Sequence, residues 1–451
     1  MSEKLIMLSD PVHGFIEVED RFIQDLIKTR EVQRLRRIKQ LGMGFIVYPS
    51  AEHSRFPHAL GAMGLLKDAL DYIESKGTPI SDNERLASLA AILLHDIGHA
   101  PFSHTLESQL ISKASHEKIS VALIKHIQSD MVPDSKDYGL LDLALKISNK
   151  TYHRPFFHQL ISGQFDMDRL DYLRRDSQLT GVVEGKIGID RILRTLCVHP
   201  KEGGADSCLA IESKGVYTIG NVLIARRLMY QQVYLHKTVI AADCVLRGAI
   251  KRAKYLINNG KVVAVSDISP SLQYFLENNV TKKMLSDQKV LDHFLNLDDA
   301  EIICSLKKWQ NSPDKILADL SDRFISRNLF RCVFLKKNPP QKIEDSWGEK
   351  VTKFLKKTKG ITSTDIREYY LHSCITGRST NDDRDRKDDD RDRKDDIPVL
   401  TSDGKISSLT DYAAWTSISA PTDYPQIPYV AYPKEVHLDL EEWTDDAPHY
   451  T

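Results

Sequence analysis

The sequence predicts a mostly α-helical fold with a small mixed β insert and an extended C-terminal tail. Three observations carry that expectation. Helical periodicity dominates the first 260 residues, a glycine-punctuated stretch near residues 199–219 interrupts it, and the composition changes sharply from about residue 377.

The elements follow in order. Phe22, Leu26, Val32, Leu35 and Ile38 recur at three- and four-residue steps, with one wider gap, inside a charged stretch; that spacing lines one face of a helix. Ser81 followed by Glu84 is a capping-box pattern, and the apolar run Leu86 to Leu94 comes directly after it. Another helix start reads at Ser115, ahead of Ile119, Leu123 and Ile124. Gly203-Gly204 precedes two short runs, Cys-Leu-Ala-Ile at 208–211 and Gly-Val-Tyr-Thr-Ile at 215–219, which read as a β-hairpin insert. Val262 to Val265 fits a short strand or a loop. The heptapeptide DDRDRKD at Asp382–Asp388 repeats at once at Asp389–Asp395. It cannot bury apolar surface and reads as a solvated linker, since Asp at this density is a poor helix former. Beyond it, Pro421, Pro425, Pro428 and Pro433 alternate with Tyr424, Tyr429 and Tyr432. That tail reads as an extended segment, either disordered or lying along the body or a neighbouring subunit. The expected units are a core with N-terminal helices (1–180), a helical C-terminal lobe holding the insert (181–376), the charged linker (377–397) and the tail (398–451), with 382–451 dispensable for chemistry.

Composition narrows the class. Across 451 residues, 62 Lys and Arg balance 63 Asp and Glu, which argues against a surface built wholly for nucleic acid. No apolar run is long enough to cross a membrane, and the N-terminus has no apolar signal-like core. The six cysteines form no CxxC pair and read as reduced thiols, so the cytoplasm is the expected location.

Histidine carries the chemistry. Nine of the 16 histidines fall between His53 and His158, less than a quarter of the chain. His95-Asp96-Ile97-Gly98-His99 closes the apolar helix that starts near Ser81. Adjacent His and Asp at a helix end can offer an imidazole nitrogen and a carboxylate oxygen to one cation, with Gly98 letting the backbone leave the helix. His58 is a candidate third ligand and Asp168, in Asp166-Met-Asp168-Arg169-Leu-Asp171-Tyr172, a candidate fourth. An isolated HD dipeptide says little. The order H…HD…D, with HD at the end of an apolar helix, says more.

That order resembles the HD-domain metal-dependent phosphohydrolase superfamily. Further segments are similar to its deoxynucleoside triphosphate triphosphohydrolase branch, whose vertebrate member joins a SAM domain to an HD domain. They are Asp10-Pro-Val-His-Gly14, Gln33-Arg-Leu-Arg36, Ile38-Lys-Gln-Leu-Gly42, Arg55-Phe-Pro-His58, His95 to His104, His116-Glu117, Asp166 to Asp176 and Tyr234-Leu-His-Lys237. A weaker echo at Arg327 to Cys332 extends the likeness to about residue 335. The resemblance implies an HD-domain helical bundle, here as a member without the SAM domain.

It also implies a division of labour. His58, His95, Asp96 and Asp168 would bind a divalent metal, with Mn, Fe, Ni, Zn and Mg left open. Asp96→Ala is then expected to remove metal and turnover with little loss of fold. His104 or His116 would protonate the leaving 5′-oxygen, oriented by Glu117 and by Glu107, which stands where the vertebrate enzyme has Asp. Arg55, Arg169, Arg226 and Lys237 would meet the triphosphate. Gln40, Leu41, Tyr172, Asp176, Tyr230 and Tyr234 would line the sugar and base pocket, with Arg226, Tyr230, Tyr234 and Lys237 expected on one helical face. Gln33 and Arg36 resemble residues that read a guanine effector, although Ile6 and Lys28 depart from that pattern. The expected partners are thus a dNTP substrate, a nucleotide effector and further copies of the chain in a dimer or tetramer, with neither membrane nor nucleic acid. Two alternatives stay open: an HD phosphohydrolase with another nucleotide substrate, and a nucleotide-sensing protein with a vestigial metal site.

Overall fold

The periodic apolar positions near the N-terminus fold, in the computed structural model of the chain, into the short helices Arg21–Lys28 and Arg30–Arg34 and the turn Leu35–Arg37. Phe22, Leu26, Val32, Leu35 and Ile38 are all buried. The structure describes residues 5–133, 135–200, 207–261, 265, 267–362, 366–375, 397–412 and 427–444. Both DDRDRKD repeats and residues 262–264 lie outside the described residues. Before the first helix, Ile6–Asp10 and Gly14–Val18 pair as an antiparallel hairpin.

Two helices form the floor of the site. Helix Asp82–Leu94 starts at Ser81 with both capping-box hydrogen bonds in place, satisfying donors that the first turn leaves open. Ala87, Ala90, Ala91, Ile92, Leu93 and Leu94 are wholly buried, so the helix is apolar all round beyond its charged first turn and that part runs through the interior. Helix Arg55–Ser75 packs along it and against helix Met167–Thr180. Gly61 makes the second contact close: a Cβ there would lie 2.1 Å from Asp171 Oδ1 and 2.3 Å from Arg175 Nη2. Helix His116–Ser129 begins directly after Ser115.

The β insert differs in extent from the sequence reading. Leu196–Pro200 pairs antiparallel with Ser207–Glu212, but Val216–Met229 is an α-helix. Its β-branched residues Val216, Thr218 and Ile219 imitate a strand, while the buried Val216, Ile219 and Val222 follow a helical stripe. Ser207–Glu212 continues in parallel to Pro398–Leu400, which pairs with Ile406–Ser408.

Helix Lys237–Asn258 packs against helix Lys315–Ile325 and strand Phe330–Phe334. That strand belongs to a three-stranded antiparallel sheet whose centre is Pro428–Pro433, flanked on the far side by His372–Ile375. The prolines sit at the ends of the central strand, where a missing N–H interrupts the ladder least. Tyr429, Val430, Ala431 and Tyr432 are buried. This part of the expected tail is therefore interior, and removing residues 382–451 would take out a central strand rather than an appendage. Among the described residues no helix is long and apolar enough to cross a membrane.

Candidate metal centre and its acid–base neighbours

The C-terminal end of helix Asp82–Leu94 delivers His95 and Asp96, helix Arg55–Ser75 delivers His58 one turn from its start, and helix Met167–Thr180 delivers Asp168 in its first turn. Their atoms converge. His58 Nε2 lies 3.0 Å and His95 Nε2 3.5 Å from Asp168 Oδ1. Asp96 Oδ1 is 3.3 Å from His95 Nε2, and its Oδ2 is 3.6 Å from His58 Nε2. One ligand atom each from His58, His95 and Asp168 falls within 4.8 Å of the other two.

The rings are aimed by their other nitrogens. His95 Nδ1 lies 2.6 Å from the Ile92 carbonyl oxygen, which can only accept, so Nδ1 carries the proton and Nε2 presents a lone pair. His58 Nδ1 lies 2.7 Å from Asp171 Oδ2. Asp171 is itself fixed by Arg175, whose Nε and Nη2 donate at 2.9 and 2.8 Å, and by His13 Nε2 at 2.7 Å. Arg175 reaches on to Asp10. Burial disfavours the carboxylate of Asp171, yet Arg175 and the two histidines hold its pKa far below the usual range. His58 Nε2 and His95 Nε2 are buried and make no well-aligned hydrogen bond, their only polar neighbours among the described residues being the carboxylates of Asp168 and Asp96. Two imidazole lone pairs converging beside carboxylates fit a divalent cation, and buried polar atoms are rarely left unpaired without such a reason.

Asp96 plays a double part. Arg55 Nη1 donates to its Oδ2 at 2.5 Å and His99 Nε2 lies 3.2 Å from its Oδ1. Burial raises its pKa, but His95, Arg55 and His99 prevail and keep it well below the usual range. Arg55 is buried; its Nε and Nη2 donate to Ser103 Oγ and Nη2 also reaches the Gln40 carbonyl at 3.5 Å, so it ties Asp96 to both segments.

A second group of rings stands beside the first. His99 and His116 stack at 4.0 Å between centroids, with His104 edge-on to both. Glu107 Oε2 lies 3.2 Å from His104 Nδ1 and 3.5 Å from His116 Nδ1, and its Oε1 accepts from the His116 backbone N–H at 2.8 Å. Burial lowers the pKa of His116, but the hydrogen bond to Glu107 and the charge of Glu117 push it up to about 9. Burial together with Arg55 and His116 drives His99 well below its ordinary value, so it stays neutral. His104 is the exposed member, with 61 % of its side chain open to solvent. Glu117 Oε1 is 3.6 Å from His116 Nε2.

Gly98 joins the two groups by size rather than by turning the chain. Its φ is not in the left-handed region. A Cβ there would lie 2.2 Å from the His116 carbonyl oxygen and 2.4 Å from the Ser120 nitrogen. Only glycine lets the HD loop sit directly on helix His116–Ser129.

An aromatic line leads away from the metal-facing ring: His58 to Tyr172 at 6.5 Å, Tyr172 to Tyr234 at 6.1 Å, and Tyr234 to Tyr230 at 4.9 Å. Asp176 accepts from the Tyr234 hydroxyl at 2.8 Å and pairs with His53 Nε2 at 2.7 Å. Gln40 Oε1 is buried without a hydrogen-bond partner beside Leu41. Arg169 pairs with Asp166. The single helical face expected for Arg226, Tyr230, Tyr234 and Lys237 does not exist. Helix Val216–Met229 passes into the π-turn Tyr230–Tyr234, breaks at Leu235, and restarts at Lys237 under the His236 cap. Gln33 and Arg36 are brought together, but Arg36 Nε donates to Gln33 Oε1 at 2.9 Å and Gln33 Nε2 to the Ile27 carbonyl.

The groups that act by support carry no motif of their own: Asp171, Arg175 and His13 behind His58, His53 behind Asp176, and His99 stacked on His116. The DMDRLDYLRRD stretch held the signal for two of them, since Asp171 and Arg175 stand four apart on one helix.

Comparison with known proteins matches this arrangement. The HD domain matches residues 55–172 and the HD associated region residues 187–273. The uncharacterized protein YwfO of Bacillus subtilis is 36% identical over 340 residues, covering 75% of this chain and 74% of its own. The human deoxynucleoside triphosphate triphosphohydrolase SAMHD1 is 26% identical over 329 residues, 63% of this chain, and the chain spans only 52% of that protein. The crystal structure of a phosphohydrolase from Bacteroides thetaiotaomicron superposes with a TM-score of 0.82 at 38% identity, covering 95% of this chain and all of that one. With the HD domain matched over the segment that holds His58, His95, Asp96 and Asp168, and with YwfO related over most of its length, the chain belongs to the HD-domain family.

Proposed function

We propose that the chain is a metal-dependent phosphohydrolase that cleaves dNTPs to deoxynucleoside and inorganic triphosphate. One observation carries the reading: two buried imidazole nitrogens, His58 Nε2 and His95 Nε2, face two carboxylates, next to His104 and His116, which both lie against Glu107. A divalent cation held by His58, His95, Asp96 and Asp168 would supply an acidified water and charge neutralisation at phosphorus.

The chain's own groups do the rest. Asp171 and the Ile92 carbonyl fix the ring orientations, so no reorganisation is needed at the moment of reaction. Arg55 keeps Asp96 ionised. His116, charged at neutral pH, or the more exposed His104 donates a proton to the departing oxygen. A general acid matters only for a poor leaving group, and the 5′-oxygen of a deoxynucleoside is one. Tyr172, Tyr234 and Tyr230 offer a run of aromatic surface to sugar and base, with Asp176 placed to accept from a sugar hydroxyl and Gln40 Oε1 to accept from the base or sugar. Arg169, Arg226 and Lys237 are the proposed triphosphate contacts. Relatives named as deoxynucleoside triphosphate triphosphohydrolases, at 26–28% identity in human and cattle, support the same substrate class.

The test is hydrolysis of dNTPs in ¹⁸O-water with separation of products. Label in inorganic triphosphate, unlabelled deoxynucleoside and preference for dNTPs over rNTPs are expected. Release of pyrophosphate or single phosphates, or no turnover of any nucleotide with any divalent metal, refutes the proposal.

A further inference from the structure

The loop between the metal ligands and His104 holds an unusual backbone. Phe102 and Ser103, neither of them glycine, are consecutive residues at φ of 52° and 54°. Such left-handed pairs are sparsely populated and persist only where the surroundings over-determine them. What holds this pair comes from far along the chain. Asp299, the first residue of helix Asp299–Trp309, is buried. Its Oδ1 accepts from the Phe102 backbone N–H at 2.7 Å and its Oδ2 from the Lys39 backbone N–H at 2.8 Å. Ser103 Oγ closes the ring by donating to the Lys39 carbonyl at 3.2 Å. The same Oγ accepts from Arg55 Nε and Nη2, whose Nη1 holds Asp96. A parallel tie lies one turn earlier, where the buried Arg34 donates to both the Leu297 and the His99 carbonyls.

We infer that Asp299 is a positioning residue: its carboxylate fixes the left-handed Phe102–Ser103 turn, and through it sets His104 and the Arg55–Asp96 pair. Helix Asp299–Trp309 thereby takes part in the geometry of the reaction, a role that rests on reading His104 and its neighbours as the acid–base group. Asn at 299 could still accept one N–H, but its amide would turn a donor toward the other. Asp298 provides the control. It caps the same helix through the Glu301 N–H and pairs with Arg37, whereas among the described residues it is Asp299 that bonds to the 102–104 turn.

The experiment compares Asp299→Asn with Asp298→Asn in the full chain. Three quantities are read: hydrogen exchange over residues 100–106, bound metal, and kcat and KM on the best nucleotide. For Asp299→Asn, exchange over 100–106 should quicken by about tenfold or more as a buried N–H loses its acceptor. Its kcat should fall by about tenfold or more from a misplaced turn, with KM within about twofold and metal retained. Asp298→Asn should leave both the 100–106 exchange and kcat within about twofold, even at an equal loss of Tm. Wild-type protection of 100–106 in Asp299→Asn, or a kcat loss no greater than that of Asp298→Asn, overturns the inference. If wild-type protein turns over no nucleotide, the proposed function has failed, and the exchange arm alone decides whether Asp299 holds the turn.

Discussion

Replacing Glu107 by Gln keeps an oxygen for the His116 backbone N–H but removes the charge and the acceptor that Oε2 offers to the Nδ1 atoms of His116 and His104. His116 has a folded pKa of about 9, so the protonated ring is present below that value and lost as pH rises through it. At pH 8 the charged fraction is roughly 0.9 in the native protein and roughly 0.03 at the ordinary histidine pKa of about 6.5. Glu117 also raises His116, and with its help retained an intermediate pKa near 7.5 would leave roughly 0.25 charged. Glu107→Gln should therefore lower kcat/KM at pH 8 by between about 4-fold and 30-fold, yet by less than about twofold at pH 6. The alkaline limb of the pH–rate profile shifts down by about 1.5 to 2.5 units while bound metal stays the same. A loss equal at pH 6 and pH 8, or an unmoved alkaline limb, would refute the view that Glu107 sets the protonation of the reacting histidine.

Three further outcomes follow from the geometry. His95→Ala should abolish bound divalent metal, read by elemental analysis, with Tm nearly unchanged, whereas Asp96→Ala should lose metal and also about 3–5 kcal/mol of stability. The second effect arises because Arg55 is left buried without its carboxylate, which revises the sequence expectation of little loss of fold. Gly98→Ala pushes a methyl group against the His116 carbonyl, so denaturation should show a cost of about 1–3 kcal/mol and activity should drop even where the chain folds. Removing residues 428–444 should yield insoluble or protease-sensitive protein, since Val430 alone forfeits roughly 1.5–3 kcal/mol of burial; a monodisperse, thermally stable truncation would contradict the sheet assignment.

What the sequence discloses is local. Ser81 and Glu84 announce a helix start because both partners of the capping box lie within one turn. His95 and Asp96 stand out because they close an apolar run. The supporting groups escape notice because their partners are distant: Asp171 meets His58 across 113 residues, Asp176 meets His53 across 123, and Asp299 meets Phe102 across 197. No spacing rule reaches that far. Gly215 to Ile219 misleads for the opposite reason, since β-branched residues over so short a span fit either period. The break at Leu235 is hidden because a π-turn keeps helical composition while shifting every later side chain around the axis.

The central strand Pro428–Pro433 also bears on how the protein is made. During synthesis, helix Lys237–Asn258 and strands Phe330–Phe334 and His372–Ile375 leave the ribosome before the strand that joins them, so the two outer strands wait with unpaired edges. Pairing Phe330 with Pro433 closes a loop of about a hundred residues, a slow step with a high entropic cost. The sheet can thus close only after Pro433 has been made, which makes the nascent chain a client for chaperones and leaves products that stop short of this strand as substrates for degradation.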